Sequence, residues 1–265
     1  MSWEQAVLWL KAQPEHQELV QACFYDDPLL AAAERYYAST EWRAVRKLIG
    51  PVCGRALDVG SGRGISAFAL AKDGWSTVAL EPDHSDEVGA GAIRRLAAES
   101  HLSLKVVTDW GESLPFESAS FDLVHCRQVL HHARDLRQLC REIARVLRTG
   151  GTMIATREHV ISRAEDLPIF LHTHPLHHLY GGENAFRLED YLTSLKDAGI
   201  QVTSVLNPFE SDINLYPDNL QKLREKISHR LRLPFPMQIA KKVLSWKGRL
   251  ISTPGRLFTL VGKKT

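Results

Sequence analysis

The chain has 265 residues, 44% hydrophobic and 24% charged, with a net charge of +2. That balance fits a globular protein long enough to bury one full α/β core. No apolar run reaches eighteen residues, so no membrane-spanning helix is expected. The start, Met1-Ser2-Trp3-Glu4-Gln5, lacks the basic stretch and apolar core of a secretion leader. The four cysteines form no C-x-x-C pair, so reduced thiols in a cytoplasm are the expectation.

In chain order, residues 3–10 read as a short amphipathic helix. Residues 31–49 read as one longer helical stretch, with Tyr36, Trp42, Val45 and Leu48 along one side. Pro51 and Gly54 mark the entry to the main domain. Residues 1–50 are therefore expected to form an N-terminal helical cap, and residues 51–265 the domain it covers. Ala56-Leu57-Asp58-Val59 is a buried strand that runs into the glycine turn Gly60-Ser61-Gly62-Arg63-Gly64. Val78-Ala79-Leu80-Glu81 is a second strand ending on an acid. A glycine turn lets backbone approach a ligand closely, and an acid at the tip of the next strand can accept both hydroxyls of a ribose. The pair predicts an adenosine-containing ligand lying across two strands of an α/β sheet.

A third strand spans residues 104–110 and ends in Asp109-Trp110. Glu112-Ser113-Leu114-Pro115-Phe116 follows it. Phe121-Asp122-Leu123-Val124-His125-Cys126 is a fourth strand, followed by Val129-Leu130-His131-His132. A helix over 135–147 puts Leu136, Leu139, Ile143 and Val146 on one face. Arg148-Thr149-Gly150-Gly151 stops it, and residues 152–156 make a fifth strand. Residues 187–198 are a helix stopped by Gly199, and 201–206 and 256–262 are two last strands. Insertions occupy about 161–186 and 209–254.

A dinucleotide fingerprint does not fit the turn. Counted from Gly60 its third glycine position is Ile65. Counted from Gly62, Ala67 fits but the turn starts late, and Asp58 sits where such a fold wants an apolar residue. The series D-x-G-S-G-x-G resembles instead that of S-adenosyl-L-methionine (SAM) methyltransferases. With Leu114-Pro115-Phe116, Phe121-Asp122-Leu123-Val124, Leu130-His131-His132 and Gly150-Gly151, residues 50–160 resemble the class I SAM-dependent methyltransferase family, in its methyltransferase type 11-like branch. The resemblance implies a Rossmann-like, seven-stranded, mostly parallel sheet with helices on both faces. Its last strand would be antiparallel, between the fifth and sixth, with N-terminal helices and helical insertions added. SAM is the implied cofactor, and a nicotinamide dinucleotide the alternative. Carried over from the family, Asp58, Gly60, Ser61 and Gly62 form the turn under the methionine part, and Glu81 takes the ribose hydroxyls. Asp109 accepts from the adenine amino group, Trp110 packs on the ring, and Arg127 meets the cofactor carboxylate, with Arg43 or Arg63 as equal candidates.

Ligands in open α/β sheets bind beyond the carboxyl ends of the strands. Eight of the twelve histidines lie between His125 and His178, in segments that leave that edge. Methyl transfer is an in-line displacement, and a hydroxyl acceptor needs a base near neutral pH. His132 and His159 are the leading candidates for that base, with His131 third. His172, His174, His177 and His178, with Glu158 or Glu183, offer metal-ligand chemistry, but no closed zinc spacing is present, and no metal is assigned. The expected function is methylation of a polar small molecule or glycan, most simply at oxygen. Alternatives are a quinone, polyketide or other natural product methylated at O, N or C, or a SAM-binding regulator without activity.

Charge is divided along the chain. Residues 1–218 carry a net −9 and residues 219–265 a net +11. Leu231, Leu233, Phe235, Ile239, Val243, Leu244 and Trp246 alternate with Lys241, Lys242, Lys247 and Arg249. That mix suits either a cap helix or peripheral contact with a membrane or polyanion. No nucleic-acid partner is expected, because no RNA-binding module precedes the core and the tail lacks repeated aromatic platforms.

Overall fold

The computed structural model describes residues 1–52, 54–231, 243–244, 246–248 and 250–265. Much of the basic apolar segment named above lies outside the described residues. The chain opens with four helices, α1 (Trp3–Ala12), α2 (Gln17–Ala22), α3 (Leu29–Ala38) and α4 (Thr40–Ile49). The single helix expected over 31–49 is thus two. Ser39 takes extended backbone, and its Oγ accepts from the Trp42 N–H at 3.0 Å. A serine in that role stabilises a helix start by about 1 kcal/mol, so the chain turns at Ser39 instead of running on.

The core follows as alternating strands and helices: β1 (Arg55–Val59), α5 (Ile65–Lys72), β2 (Ser76–Leu80), α6 (Ala90–Ser100), β3 (Leu104–Val107), β4 (Phe121–Arg127), α7 (Leu136–Val146) and β5 (Leu147–Ile161). Two short helices, α8 (Leu167–Thr173) and α9 (His177–Tyr180), fill the first insertion. Then come β6 (Phe186–Arg187), α10 (Leu188–Asp197), β7 (Ile200–Leu206), α11 (Leu220–Leu231) and β8 (Arg256–Lys264).

Seven strands lie in the order β3-β2-β1-β4-β5-β8-β7, and β6 adds a two-residue eighth along β5. β1 to β5 pair in parallel, while β8 runs antiparallel between β5 and β7. The expected mostly parallel Rossmann-like sheet with one inserted antiparallel strand is the fold found. Side chains alternate across a strand, and each face acquires its own core. Leu57 and Val59 join Leu139, Ile143 and Val146 of α7 on one face. Ala56 joins Trp42, Val45 and Phe68 of the N-terminal helices and α5 on the other.

Two irregularities aim side chains at the carboxyl edge of the sheet. β5 carries one extra residue against β8 between Ala155 and Glu158, and Arg157 there has φ +60°. Such a bulge re-aims the residues after it. β5 therefore does not stop at Thr156, as expected, but continues through Glu158 and His159. Past β4, Gln128 takes φ +57° and the chain enters a 3₁₀ turn, Leu130–His132.

Candidate functional site

One cavity of about 690 Å³ opens at that edge, between the carboxyl ends of β1, β2, β4 and β5 and a lid from α1, α2 and α9. Its size is ordinary for a small-molecule site. Its walls differ in chemistry from end to end.

The first end is the glycine turn. Gly60 has φ +61°, and a Cβ there would sit 2.7 Å from Val129 Cγ2, so this position excludes any side chain. The Ser61 N–H donates to Leu80 O at 3.0 Å, and its Oγ donates to Asp58 O at 2.8 Å. The Gly62 N–H donates to Glu81 Oε2 at 2.7 Å, and the Asp83 N–H to Glu81 Oε1 at 3.0 Å. Glu81 thus ties β1 to β2 while lining the cavity. Burial raises its carboxyl to about 7, against the pull of those two backbone donors.

Not all the expected donor residues face the cavity. Asp58 lies behind the turn, fully buried. Its Oδ1 is 2.7 Å from His125 Nδ1, and its Oδ2 accepts from Ser66 Oγ at 3.0 Å. Its oxygens are taken up inside the fold, so the carboxylate braces the strand from behind the turn. Asp109 is not in the cavity wall; its Oδ1 accepts from the Trp110 N–H at 2.8 Å. Trp110 does line the cavity, half-exposed, with the Arg134 guanidinium 4.4 Å from its ring centre.

Arg127 lines the cavity with its charge already matched. Glu41 accepts from Nε at 2.7 Å and from Nη2 at 3.1 Å, and Gln128 Oε1 accepts from Nη1 at 3.3 Å. All three guanidinium nitrogens have partners, so the expected contact with a cofactor carboxylate would have to displace Glu41. The candidate Arg63 is likewise bound, to the carbonyls of Phe24 and Asp26 and to Asp27. Sequence reasoning missed Glu41. Its signal was an acid on the same helical face as Trp42, Val45 and Ile49.

The opposite end is a wall of imidazoles. His131 is buried; its Nδ1 donates to Glu158 Oε2 at 2.7 Å. Glu158 is itself buried and accepts from the N–H groups of Val129 at 3.1 Å and His131 at 3.0 Å. His159 Nδ1 donates to Gly255 O at 2.8 Å, and His132 Nδ1 to Gly182 O at 2.9 Å. Each ring therefore presents Nε2. Burial drives His131 well below the ordinary histidine range and His159 to about 3, so both are neutral. Glu183 stands among them. Burial pushes its carboxyl up, but His132, His174 and His131 outweigh that and hold it below the usual value. The Tyr180 hydroxyl donates to Glu183 Oε1 at 2.7 Å.

The other expected histidines separate. His172 and His178 are exposed on α8 and α9, bound to each other through His178 Nε2 and His172 O at 2.6 Å. His174 alone of that stretch lies beside Glu183, its Nδ1 3.9 Å from Oε1.

Comparison with known proteins fits this geometry. Residues 57–155 match the family described as "Methyltransferase domain". Residues 57–155 form a methyltransferase domain of the class I SAM-dependent kind, and SAM is the cofactor of that domain. It is 32% identical over 100 residues to the uncharacterized methyltransferase YcgJ of Bacillus subtilis (strain 168), covering 38% of this chain and 39% of that protein. It is 27% identical over 168 residues to a tRNA U34 carboxymethyltransferase of Desulforapulum autotrophicum, covering 59% and 50%. A ubiquinone biosynthesis O-methyltransferase of Rhizobium johnstonii is 26% identical over 172 residues, covering 62% and 68%. The chain thus spans half or less of the length of the first two of these relatives. Among solved structures, a geranyl diphosphate methyltransferase in complex with SAM superposes with a TM-score of 0.61 at 17% identity, covering 91% and 92%. That likeness is one of fold. A tRNA-directed enzyme among the relatives removes the grounds for excluding nucleic acid as a partner of this methyltransferase domain. Among the described residues no helix is long and apolar enough to cross a membrane.

Proposed function

We propose that this protein transfers the methyl group of SAM to a hydroxyl of a small polar acceptor, such as a sugar, held against the histidine wall. The observation that carries this reading is the facing of two unlike walls across one cavity: a glycine turn beside the Glu81 carboxylate, and imidazoles whose Nδ1 atoms are engaged and whose Nε2 atoms are left for a ligand. When bound, SAM supplies an electrophilic methyl carbon on a sulfonium. Gly60, Ser61 and Gly62 give backbone that approaches the methionine part without side-chain interference. Glu81 would accept the ribose hydroxyls, and Trp110 would cover the adenine. Asp58 and Arg127 act behind these groups, by bracing β1 and by fixing the end of β4 against Glu41.

The acceptor hydroxyl needs a neutral base within hydrogen-bond reach. His132 is the most open of the three histidines, with 38% of its side chain exposed and its Nε2 3.9 Å from Glu183 Oε2. We assign it the proton. His132 Nε2 would take the acceptor's proton, so that the acceptor oxygen could attack the methyl carbon that bound SAM would supply, with the sulfur leaving as a thioether. His131 and His159 complete the wall and exclude water on its buried side. A ubiquinone biosynthesis O-methyltransferase among the relatives supports oxygen as the methylated atom.

The test is transfer of label from methyl-labelled SAM to small molecules of a cell extract, beside calorimetric titration with SAM and with NADH. SAM binding with extract-dependent labelling is expected. SAM binding without labelling of any extract fraction points to a regulator, and binding of NADH in place of SAM overturns the cofactor assignment.

A further inference from the structure

Glu183 is buried among imidazoles that do not hydrogen-bond to it. His131 Nε2 is 3.8 Å from its Oε2, His132 Nε2 3.9 Å from the same oxygen, and His174 Nδ1 3.9 Å from Oε1. These gaps exceed hydrogen-bond length. One ligand atom each from His131, His159 and Glu183 lie within 4.8 Å of one another. Atoms bound to one cation at about 2.0–2.2 Å sit roughly 3–4 Å apart, so a small ion fits among them with little movement.

The surroundings of the three residues support the same reading. A metal-binding histidine usually donates its other N–H to a carboxylate or carbonyl, which fixes the ring and its tautomer. His131 donates from Nδ1 to the Glu158 carboxylate, and His159 from Nδ1 to the Gly255 carbonyl. Glu183 is held by the Tyr180 hydroxyl. Each of the three is held through one atom and keeps a second donor atom for a ligand in the cavity they line. These residues come from the 3₁₀ turn after β4, from β5 and from the loop after α9. No local sequence spacing could have announced them.

We propose that His131, His159 and Glu183 bind one divalent transition-metal ion of the zinc class. Two imidazoles and a carboxylate favour Zn²⁺, Co²⁺, Fe²⁺ or Mn²⁺ over Mg²⁺ or Ca²⁺, and three protein ligands leave a position open to the cavity. An acceptor oxygen in that position loses electron density to the ion and yields its proton to His132 more readily. This role rests on the methyl-transfer reading; the ion site itself stands on the geometry alone.

The test uses the whole chain, stripped with a chelator and titrated with Co²⁺, read by its visible absorption and by calorimetry. One equivalent is expected. His131→Ala or Glu183→Gln should weaken Co²⁺ binding by about 100-fold, the upper end of what loss of even a supporting group costs. The far-ultraviolet dichroism and SAM affinity of these variants check that they fold. His172→Ala/His178→Ala, which removes the exposed histidines, should keep the full equivalent. No stoichiometric uptake by the wild type overturns the proposal, as does uptake lost in His172→Ala/His178→Ala but kept in His131→Ala. Co²⁺ uptake by a protein that does not bind SAM keeps the ion site and rejects the methyl-transfer reading instead.

Discussion

The two ends of the cavity are built in opposite ways. The donor end is continuous in sequence: Gly60, Ser61 and Gly62 follow β1 directly, and Glu81 caps the neighbouring strand in register with it. Its contacts are made largely to backbone, and the Glu81 carboxylate that lines the cavity already serves the turn. The acceptor end is assembled from the 3₁₀ turn after β4, from β5, from the end of α8 and from the loop after α9, and what it presents to the cavity are side chains. A site made of backbone tolerates little change in shape but much change in surroundings. A site made of side chains can be retuned residue by residue on the same scaffold, which is how one fold serves many acceptors. Substitutions at one end should therefore leave the function of the other end standing.

His132→Ala tests the acceptor end most severely. Removing a general base lowers turnover by about 10²–10⁴-fold. Labelled-methyl transfer should fall by that much while the calorimetric SAM affinity stays within about threefold. Glu81→Ala is the mirror experiment. Hydrogen bonds to a charged group contribute about 1.5–3 kcal/mol, so SAM affinity should weaken by roughly 10–100-fold, read by the same calorimetry. A fall in turnover at saturating SAM as large as that of His132→Ala would break the division between the ends. Glu158→Gln comes next. It keeps the shape but weakens the hold on the His131 ring; where His131 holds the proposed ion, loss of such a supporting carboxylate costs about 10–100-fold in activity. Turnover should drop with SAM affinity unchanged; unchanged turnover would show that the Glu158–His131 pair only packs the wall.

The same contrast decides what the sequence disclosed. β1, the glycine turn and the acid on β2 sit within one stretch whose apolar runs and glycines demand that geometry, so the sheet and the donor turn were legible. The acceptor wall was visible only as an excess of histidines. Which of them converge depends on the bulge at Arg157 and on the return of residues 255–258 beside β5, and neither leaves a local pattern. That is why His172 and His178, adjacent to other histidines in sequence, turn outward, while His131 and His159 meet. Asp58 shows a middle case: its motif places it in the turn, but its partner His125 lies on β4 and left no local sign. Ser39, a polar residue in an otherwise helical run, was the available sign that residues 31–49 form two helices.

The smallest effect expected is in pH, and it belongs to Glu81. Burial raises this carboxyl to about 7 in the free protein, from an ordinary 4.5. A folded value above the unfolded one means that the fold favours the protonated form. The free protein therefore has this contribution in full below about pH 4.5 and loses it as pH rises through 7, by about 3 kcal/mol at one pKa unit per 1.4 kcal/mol. Binding has the opposite sign. Ribose hydroxyls donate to the ionised carboxylate, so SAM should bind with release of a proton below pH 7. Its Kd should be about tenfold weaker at pH 6 than at pH 8. Glu81→Gln cannot titrate, and its weaker Kd should be flat over the same interval. Calorimetry in two buffers of different ionisation enthalpy would count the proton released. A wild-type Kd independent of pH, with no proton released, would mean that the carboxylate stays committed to Gly62 and Asp83 when SAM binds, and that the ribose is held by backbone alone.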